Sequence, residues 1–270
     1  MLSDITIGQF FPGNSFLHRL DPRVKLILTF GYIVLIFIPH NWLGLLAAFL
    51  LLGLCIALSA LPLKLILKGL KPIIPLLIFT SIINLFYVEG TVLVSFWILK
   101  ITKEGILTAL FISVRILCLI AAGSLMTYTT SPTTLTDALE RVLSPLKVFR
   151  ISVHEIAMMM TIALRFIPTL IEDTDKIMLA QKARGADMDS GNLLQRVRAL
   201  IPILVPLFIS SFRRAYDLAT AMGCRCYEGG EGRTRMKQLH MAKRDGVAIG
   251  VMVVFTVLLV LSNIWVPATI

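Results

Sequence analysis

LGLLAAFLLLGLCIALSAL, Leu43 to Leu61, runs for nineteen residues without a charge. An α-helix rises about 1.5 Å per residue, so this stretch is about 28 Å long, roughly the thickness of a bilayer's hydrocarbon core. It is long enough to cross a membrane alone. The rest of the chain agrees: 57% of residues are hydrophobic, only 16% are charged, and the mean hydropathy is +0.85. A soluble domain would carry about a quarter charged residues. So much apolar surface has to face lipid, and the sequence predicts an all-α polytopic membrane protein.

Four further apolar segments flank that one. Leu26 to Pro39 is short, about 21 Å as a helix, and would thin the bilayer or borrow flanking residues. Pro72 to Val88 carries Pro72 and Pro75 at its start, where a helix tolerates them. Gly105 to Tyr128 and Gly246 to Pro267 complete about five transmembrane helices. Val92 to Leu99 is too short to span and reads as a re-entrant or interfacial piece. The start, MLSDITIGQFFPG, lacks a basic region followed by an apolar core, so no cleaved signal is expected. The formal net charge is +10. Arg19, Arg23 and Lys25 precede the first span, Lys64, Lys68 and Lys71 follow the second, and a basic cluster runs from Arg141 to Arg244. The other side receives Lys100 and Lys103. The positive-inside rule then predicts a cytoplasmic N-terminus and an outside C-terminus in a plasma membrane. Excess Lys and Arg is thereby read as orientation rather than as a nucleic-acid surface.

Ser131 to Asp245 is different material, holding 17 of the 26 basic residues and 12 of the 16 acids. It reads as an amphipathic helical domain, cytoplasmic or interfacial. The organisation expected is therefore 1–130 for four spans, 131–245 for this domain and 246–270 for the last span. SPTTLTDALERVL predicts a first helix with a Thr134-x-x-Asp137 cap. Two long helical patterns follow, from about Ser152 to Arg184 and from Leu193 to about Arg225. Both begin apolar and end polar, and both are tipped by an arginine between small residues: Ala183-Arg184-Gly185 and Cys224-Arg225-Cys226. Gly185 is a candidate left-handed helix terminator, and Gly229, Gly230 and Gly232 a loop. A cation at a helix C-terminus is favoured by the free carbonyls there, which is one reading of both arginines. The other is that small neighbours let the guanidinium enter a groove on a partner.

No catalytic constellation emerges. A G-x-x-x-x-G-K-[ST] phosphate loop is absent, so the chain is not expected to hydrolyse ATP or to be an enzyme. His18, His40, His154 and His240 lack ligand spacing, and adjacent His154 and Glu155 point apart on a helix. Glu172, Asp173 and Asp175, beside Lys176, read as a solvated face. Met158 to Met160 suit adaptable packing. Cys224 and Cys226 have no second ligand pair, so no metal or other cofactor is expected. Arg115 is the one charge inside a predicted span. Either it is functional and faces the bundle interior or a partner, or it snorkels or pairs with a backbone carbonyl or a neighbouring polar group, and the sequence leaves both open. A self-contained secondary transporter or channel is the alternative class, predicting a path of ionisable residues and two similar halves, of which only Arg115 fits.

PGNSFLHRLDPRVKL (Pro12 to Leu26), the paired x-Arg-x motifs and the EGGEGRTR that follows together resemble the transmembrane T components of energy-coupling factor transporters, over essentially the whole chain. The resemblance implies a non-enzymatic scaffold of an ATP-driven vitamin or micronutrient importer. Its 131–245 domain would be a cytoplasmic coupling domain. The implied partners are two ATP-binding cassette ATPase subunits, which bind the ATP, and one membrane-embedded substrate-binding S component. Carried over, Arg184 and Arg225 are docking anchors on the ATPases, with Ala183, Gly185, Cys224 and Cys226 as their small neighbours. The two cysteines depart from the commoner Ala, Gly or Ser. The S component is expected against the apolar runs Thr161 to Leu170 and Ile201 to Phe212, through Thr161, Leu164, Phe166, Leu170, Ile201, Leu204, Leu207, Phe208 and Phe212.

Overall fold

The computed structural model describes residues 10–96, 99–149, 152–186, 193–229 and 239–265. They fall into two compact units, one holding Gly8–Ala138 with Gln238–Ile270, the other Leu139–Lys237. Among the described residues the regular structure is helical except for one small hairpin.

The first unit contains α1 (Pro22–Leu35), α2 (Trp42–Ser59), α3 (Leu63–Leu70), α4 (Ile74–Tyr87), α5 (Lys103–Thr129) and the last helix, α9 (Lys243–Trp265). Between α4 and α5, β1 (Val92–Phe96) pairs antiparallel with β2 (Leu99–Thr102). The segment expected to be a re-entrant or interfacial piece is this hairpin. Val and Ile recur through VLVSF and LKIT, and β-branched residues fit a pleated strand better than a helix. The core is shared by four helices: Tyr32 of α1 with Ile36 just after it, Ala48 and Leu52 of α2, Cys118, Ala121 and Ala122 of α5, and Phe255 and Leu259 of α9. Tyr32 stacks on Phe255 at 5.9 Å and donates a hydrogen bond to the Ala48 carbonyl.

Among the described residues, six helical stretches are long and apolar enough to cross a membrane: Trp42–Ser59, Leu63–Tyr87, Lys103–Thr129, Val153–Ala183, Arg198–Cys224 and Lys243–Trp265. The tally differs from the sequence expectation at both ends of the scale. α1 is only 14 residues long, whereas two helices assigned to the amphipathic domain meet the criterion. Those two reach a mean hydropathy of only 1.3, against 2.6 for α9.

Polar groups at the helix ends of this unit find partners across the bundle. Asp21 caps α1, accepting the Arg23 N–H at 2.9 Å and the Arg23 guanidinium. Burial alone would raise the Asp21 carboxyl, but the hydrogen bonds and charge of Arg23 hold it below the usual carboxylate range. The Asp21 N–H itself donates to Asp245 Oδ1 at 2.8 Å, while Asp245 Oδ2 accepts the Ala242 N–H at the start of α9. Lys25 reaches the end of α5, donating to the Thr129 carbonyl and Thr130 Oγ1. At the other end of the bundle, Asn41 caps α2 through Gly44 and donates to the Ser262 carbonyl, and Asn263 donates to the Ile38 carbonyl. Gly44 is required there, because an added Cβ would stand 2.5 Å from Pro39 Cβ.

Arg115 belongs to this second junction. Its Nη2 donates to the Pro39 carbonyl at 2.7 Å, and its guanidinium lies over the rings of Phe111 and Phe37. Of the two readings left open by the sequence, the geometry matches pairing with a carbonyl.

Asp245 is 2% exposed and accepts from two backbone N–H groups. Replacing it with Ala leaves the buried Asp21 N–H without an acceptor, at about 1–3 kcal/mol, and removes the cap from the more exposed Ala242 N–H. Asp245→Ala should therefore lower the thermal midpoint of the detergent-solubilised chain by several degrees, with Asp245→Asn falling between it and the parent.

Candidate functional site

The second unit is built on two long helices, α7 (Val153–Ala183) and α8 (Leu193–Cys224), preceded by α6 (Pro132–Val142), which begins in the first unit. The α6 cap lies one turn earlier than expected: Ser131 Oγ accepts the Thr134 N–H, because Pro132 fits the first helical position. His154 likewise meets Glu140, at 2.9 Å, and not its sequence neighbour Glu155.

α7 and α8 run antiparallel. Gln181 donates to the Pro202 carbonyl, Asp173 pairs with Arg214 and accepts from Ser210, and Tyr227 donates to Met158 Sδ at 2.8 Å. Partner numbers rise along one helix as they fall along the other. Asp173, expected on a solvated face, instead has a side chain only 14% exposed. Few side chains of the two helices are buried: among the described residues, Val153 and Ala157 of α7 and Ile203 of α8.

The two arginine motifs occupy the ends of these helices with matching geometry. Arg184 follows the last residue of α7; the Gly185 N–H donates to the Lys182 carbonyl and the Ala186 N–H to the Gln181 carbonyl. Arg225 follows the last residue of α8; the Cys226 N–H donates to the Gly223 carbonyl and the Tyr227 N–H to the Met222 carbonyl. Both are Schellman turns, in which the residue after the cap turns left-handed. Gly185 has φ +85° and Cys226 has φ +54°. Gly185 thus has a backbone reason, since its conformation costs a side-chain-bearing residue about 1–2 kcal/mol, and Cys226 adopts the same conformation at that cost. Of the predicted glycine loop beyond α8, Gly229 is also left-handed, while Gly230 and Gly232 lie outside the described residues.

Ala183, Arg184, Gly185, Cys224, Arg225 and Cys226 are all exposed, and both cysteines are free thiols. The structure does not bring the arginines together. Each lies eleven residues beyond the Asp173–Arg214 pair, about 16 Å along its own helix and in opposite directions. The two motifs are thus held at opposite ends of the helix pair, about 30 Å apart.

The nine apolar candidates are likewise split. Thr161, Ile201, Leu204, Phe208 and Phe212 are exposed, while Leu164, Phe166, Leu170 and Leu207 are half-buried. The antiparallel register sets the α7 run alongside the second half of α8, so the two runs do not lie side by side. Val205 and Ile209, within the expected run but not singled out, and Tyr216, beyond it, are exposed at 51%, 58% and 75%. With Ile201, Leu204, Phe208 and Phe212 they form one stripe at intervals of three and four. It points away from α7, which is met by Ile203, Ser210 and Arg214 on the opposite face of α8. Counting that period through the proline-containing stretch would have found it.

Comparison with known proteins bears on the same region. Residues 13–236 match the model of the CbiQ family, described as cobalt transport protein. The chain belongs to the CbiQ family. Relatives named energy-coupling factor transporter transmembrane protein EcfT include one from Ruminiclostridium cellulolyticum, 54% identical over 97% of this chain and 98% of its own. One from Clostridium kluyveri is 49% identical over 98% and 99%, and one from Lactococcus lactis is 44% identical over 96% and 98%. A CbiQ-family protein is a membrane component of a transporter, which agrees with the apolar helices here and covers both arginine motifs.

If the left-handed turn is what demands a small residue, Cys226→Gly should strengthen the α8 end by about 1 kcal/mol, and Gly185→Ala should weaken the α7 end similarly. Hydrogen exchange reads both: the Tyr227 amide slows in the first variant, and the Ala186 amide speeds up in the second.

Proposed function

We propose that the chain is the non-catalytic scaffold of an ATP-driven importer of the energy-coupling factor type, joining two cytoplasmic ATPase subunits to a membrane-embedded, substrate-binding S component. Its relatives' names supply the transporter class. The observation that carries the coupling role is the pair of exposed arginines on matching helix ends about 30 Å apart, a spacing suited to two docking partners rather than one. Because backbone N–H groups already satisfy the Gln181, Lys182, Met222 and Gly223 carbonyls, neither guanidinium is needed to cap its helix. Among the described residues neither has a hydrogen-bond or ion-pair partner, and a planar five-donor fork suits a groove lined by carboxylates and carbonyls. In this reading the motifs Ala183-Arg184-Gly185 and Cys224-Arg225-Cys226 face the cytoplasm with the N-terminus, ATP is bound by the partners, and the 131–245 segment transmits their closure.

The stripe from Ile201 to Tyr216 is the surface we assign to the S component. It is the continuous apolar face on the helix that carries one of the arginines.

Arg184→Glu and Arg225→Glu should each weaken ATPase co-purification, and the double variant should abolish it together with ATP-driven uptake. A reversed charge at a buried docking contact costs about 2–5 kcal/mol. Retention of ATPases and uptake by a folded double variant would refute the docking role. Leu204→Glu with Phe208→Glu should release the S component while the ATPases stay bound; an S component that remains would mean the stripe faces lipid alone.

A further inference from the structure

Within the first unit, a cavity of about 330 Å³ opens between α1, α2, α5 and α9. That volume is at the lower end of the range for ligand pockets, about 300–1,000 Å³. Leu54 and Leu58 of α2 and Val247 and Val251 of α9 line it and are 43–60% exposed, so its mouth lies on the outer surface between these two helices. The walls are mostly apolar, with Thr29, Tyr32 and Thr129 among them. The charged residue of the lining is Lys25, itself only 6% exposed.

Lys25 is a buried cation with neutral hydrogen-bond partners. Its ammonium has three N–H donors, and two are used, by the Thr129 carbonyl and Thr130 Oγ1. The nearby buried acids are committed elsewhere, Asp21 to Arg23 and Asp245 to two backbone N–H groups. Among the described residues no carboxylate pairs with it. On α9, Arg244 is exposed one turn before Val247 and Ala248 and two before Val251, on the face that borders the mouth. A cationic rim thus leads to a cationic, otherwise mostly apolar cleft at the end of the bundle where α1 begins.

We infer that this cleft holds one anionic phospholipid of the surrounding leaflet, an acyl chain lying in the cavity and the phosphate bridging Lys25 and Arg244. Two observations converge on that occupant. An apolar cleft open to hydrocarbon is filled by chains, and a basic pocket between membrane helices recruits anionic headgroups. The phosphate supplies the counter-charge that the protein does not.

The test is native mass spectrometry of the full chain released from nanodiscs, of phosphatidylcholine alone or of phosphatidylcholine with phosphatidylglycerol. The parent should retain one phosphatidylglycerol and no phosphatidylcholine. Lys25→Gln should lower that retention about fivefold, the worth of one ammonium at a phosphate. Val251→Trp, at an exposed position, should fold and close the mouth, abolishing retention. Equal retention of both lipids, or undiminished retention by a folded Val251→Trp chain, would overturn the proposal. So would full displacement by glycerol phosphate, which would mean that no acyl chain is held. Loss of S-component binding by Val251→Trp with phosphatidylglycerol retained would also overturn it, assigning the cleft to a partner helix.

Discussion

Hydrocarbon contains no water, so a membrane helix is most stable when the polar groups it buries find partners within the protein. That constraint organises the first unit. At one end Asp21, Arg23, Lys25 and Asp245 join the start of α1, the start of α9 and the end of α5; at the other, Asn41, Asn263 and Arg115 join the α1–α2 turn to α9 and α5. α1, α5 and α9 are thereby fastened at both junctions and α2 at one, and the apolar residues between them need only be complementary in shape. α9, separated from α5 by more than a hundred residues of chain, enters the bundle through Asp245. The same constraint explains Arg115, whose charge sits beside a carbonyl that has no helical partner.

The second unit obeys a different economy. α7 and α8 bury little against each other, and what aligns them is a line of polar contacts from Gln181–Pro202 through Asp173–Arg214 to Met158–Tyr227. A thin seam leaves most of the apolar surface of α8 outward. Such a surface is stable where lipid or another protein covers it, and large exposed apolar patches mark interaction sites.

Much of this was legible in the sequence because its signals are local. Apolar runs of helix length located α2, α5 and α9, and the amphipathic patterns ending at Arg184 and Arg225 predicted α7 and α8 nearly to the residue. The small residues around the arginines were legible as a pattern but not in their cause, since a left-handed φ at Cys226 has no sequence signature as clear as glycine. The contacts that hold the fold were not legible. Asp21 with Asp245 and Lys25 with Thr129 are separated by 224 and 104 positions, and nothing local pairs them. The hairpin at Val92–Thr102 was missed because a short apolar run was weighed for length against a bilayer and not for its β-branched content. Asp173 was misplaced for a related reason: with Lys176 three residues on, its own helix offered a plausible partner, and the true one came from α8.

The arginine ends bring the two kinds of reasoning together. Capping and docking looked like rival explanations while only the sequence was considered, because a cation near free carbonyls needs no other purpose. The Schellman turns remove the rivalry: the backbone satisfies the terminal carbonyls, and the side chain beside them is left with unused donors. A turn of this kind also ends the helix abruptly, so the arginine projects from a rigid rod rather than from a frayed coil. The ion pair at Asp173–Arg214 lies equally far from both tips. Two rods locked near their common middle move their ends together, so a displacement imposed at one tip is felt at the other without any hinge between them. In the proposed scaffold that is the mechanical requirement for two ATPases to act on one membrane partner, and it is met by the antiparallel register alone.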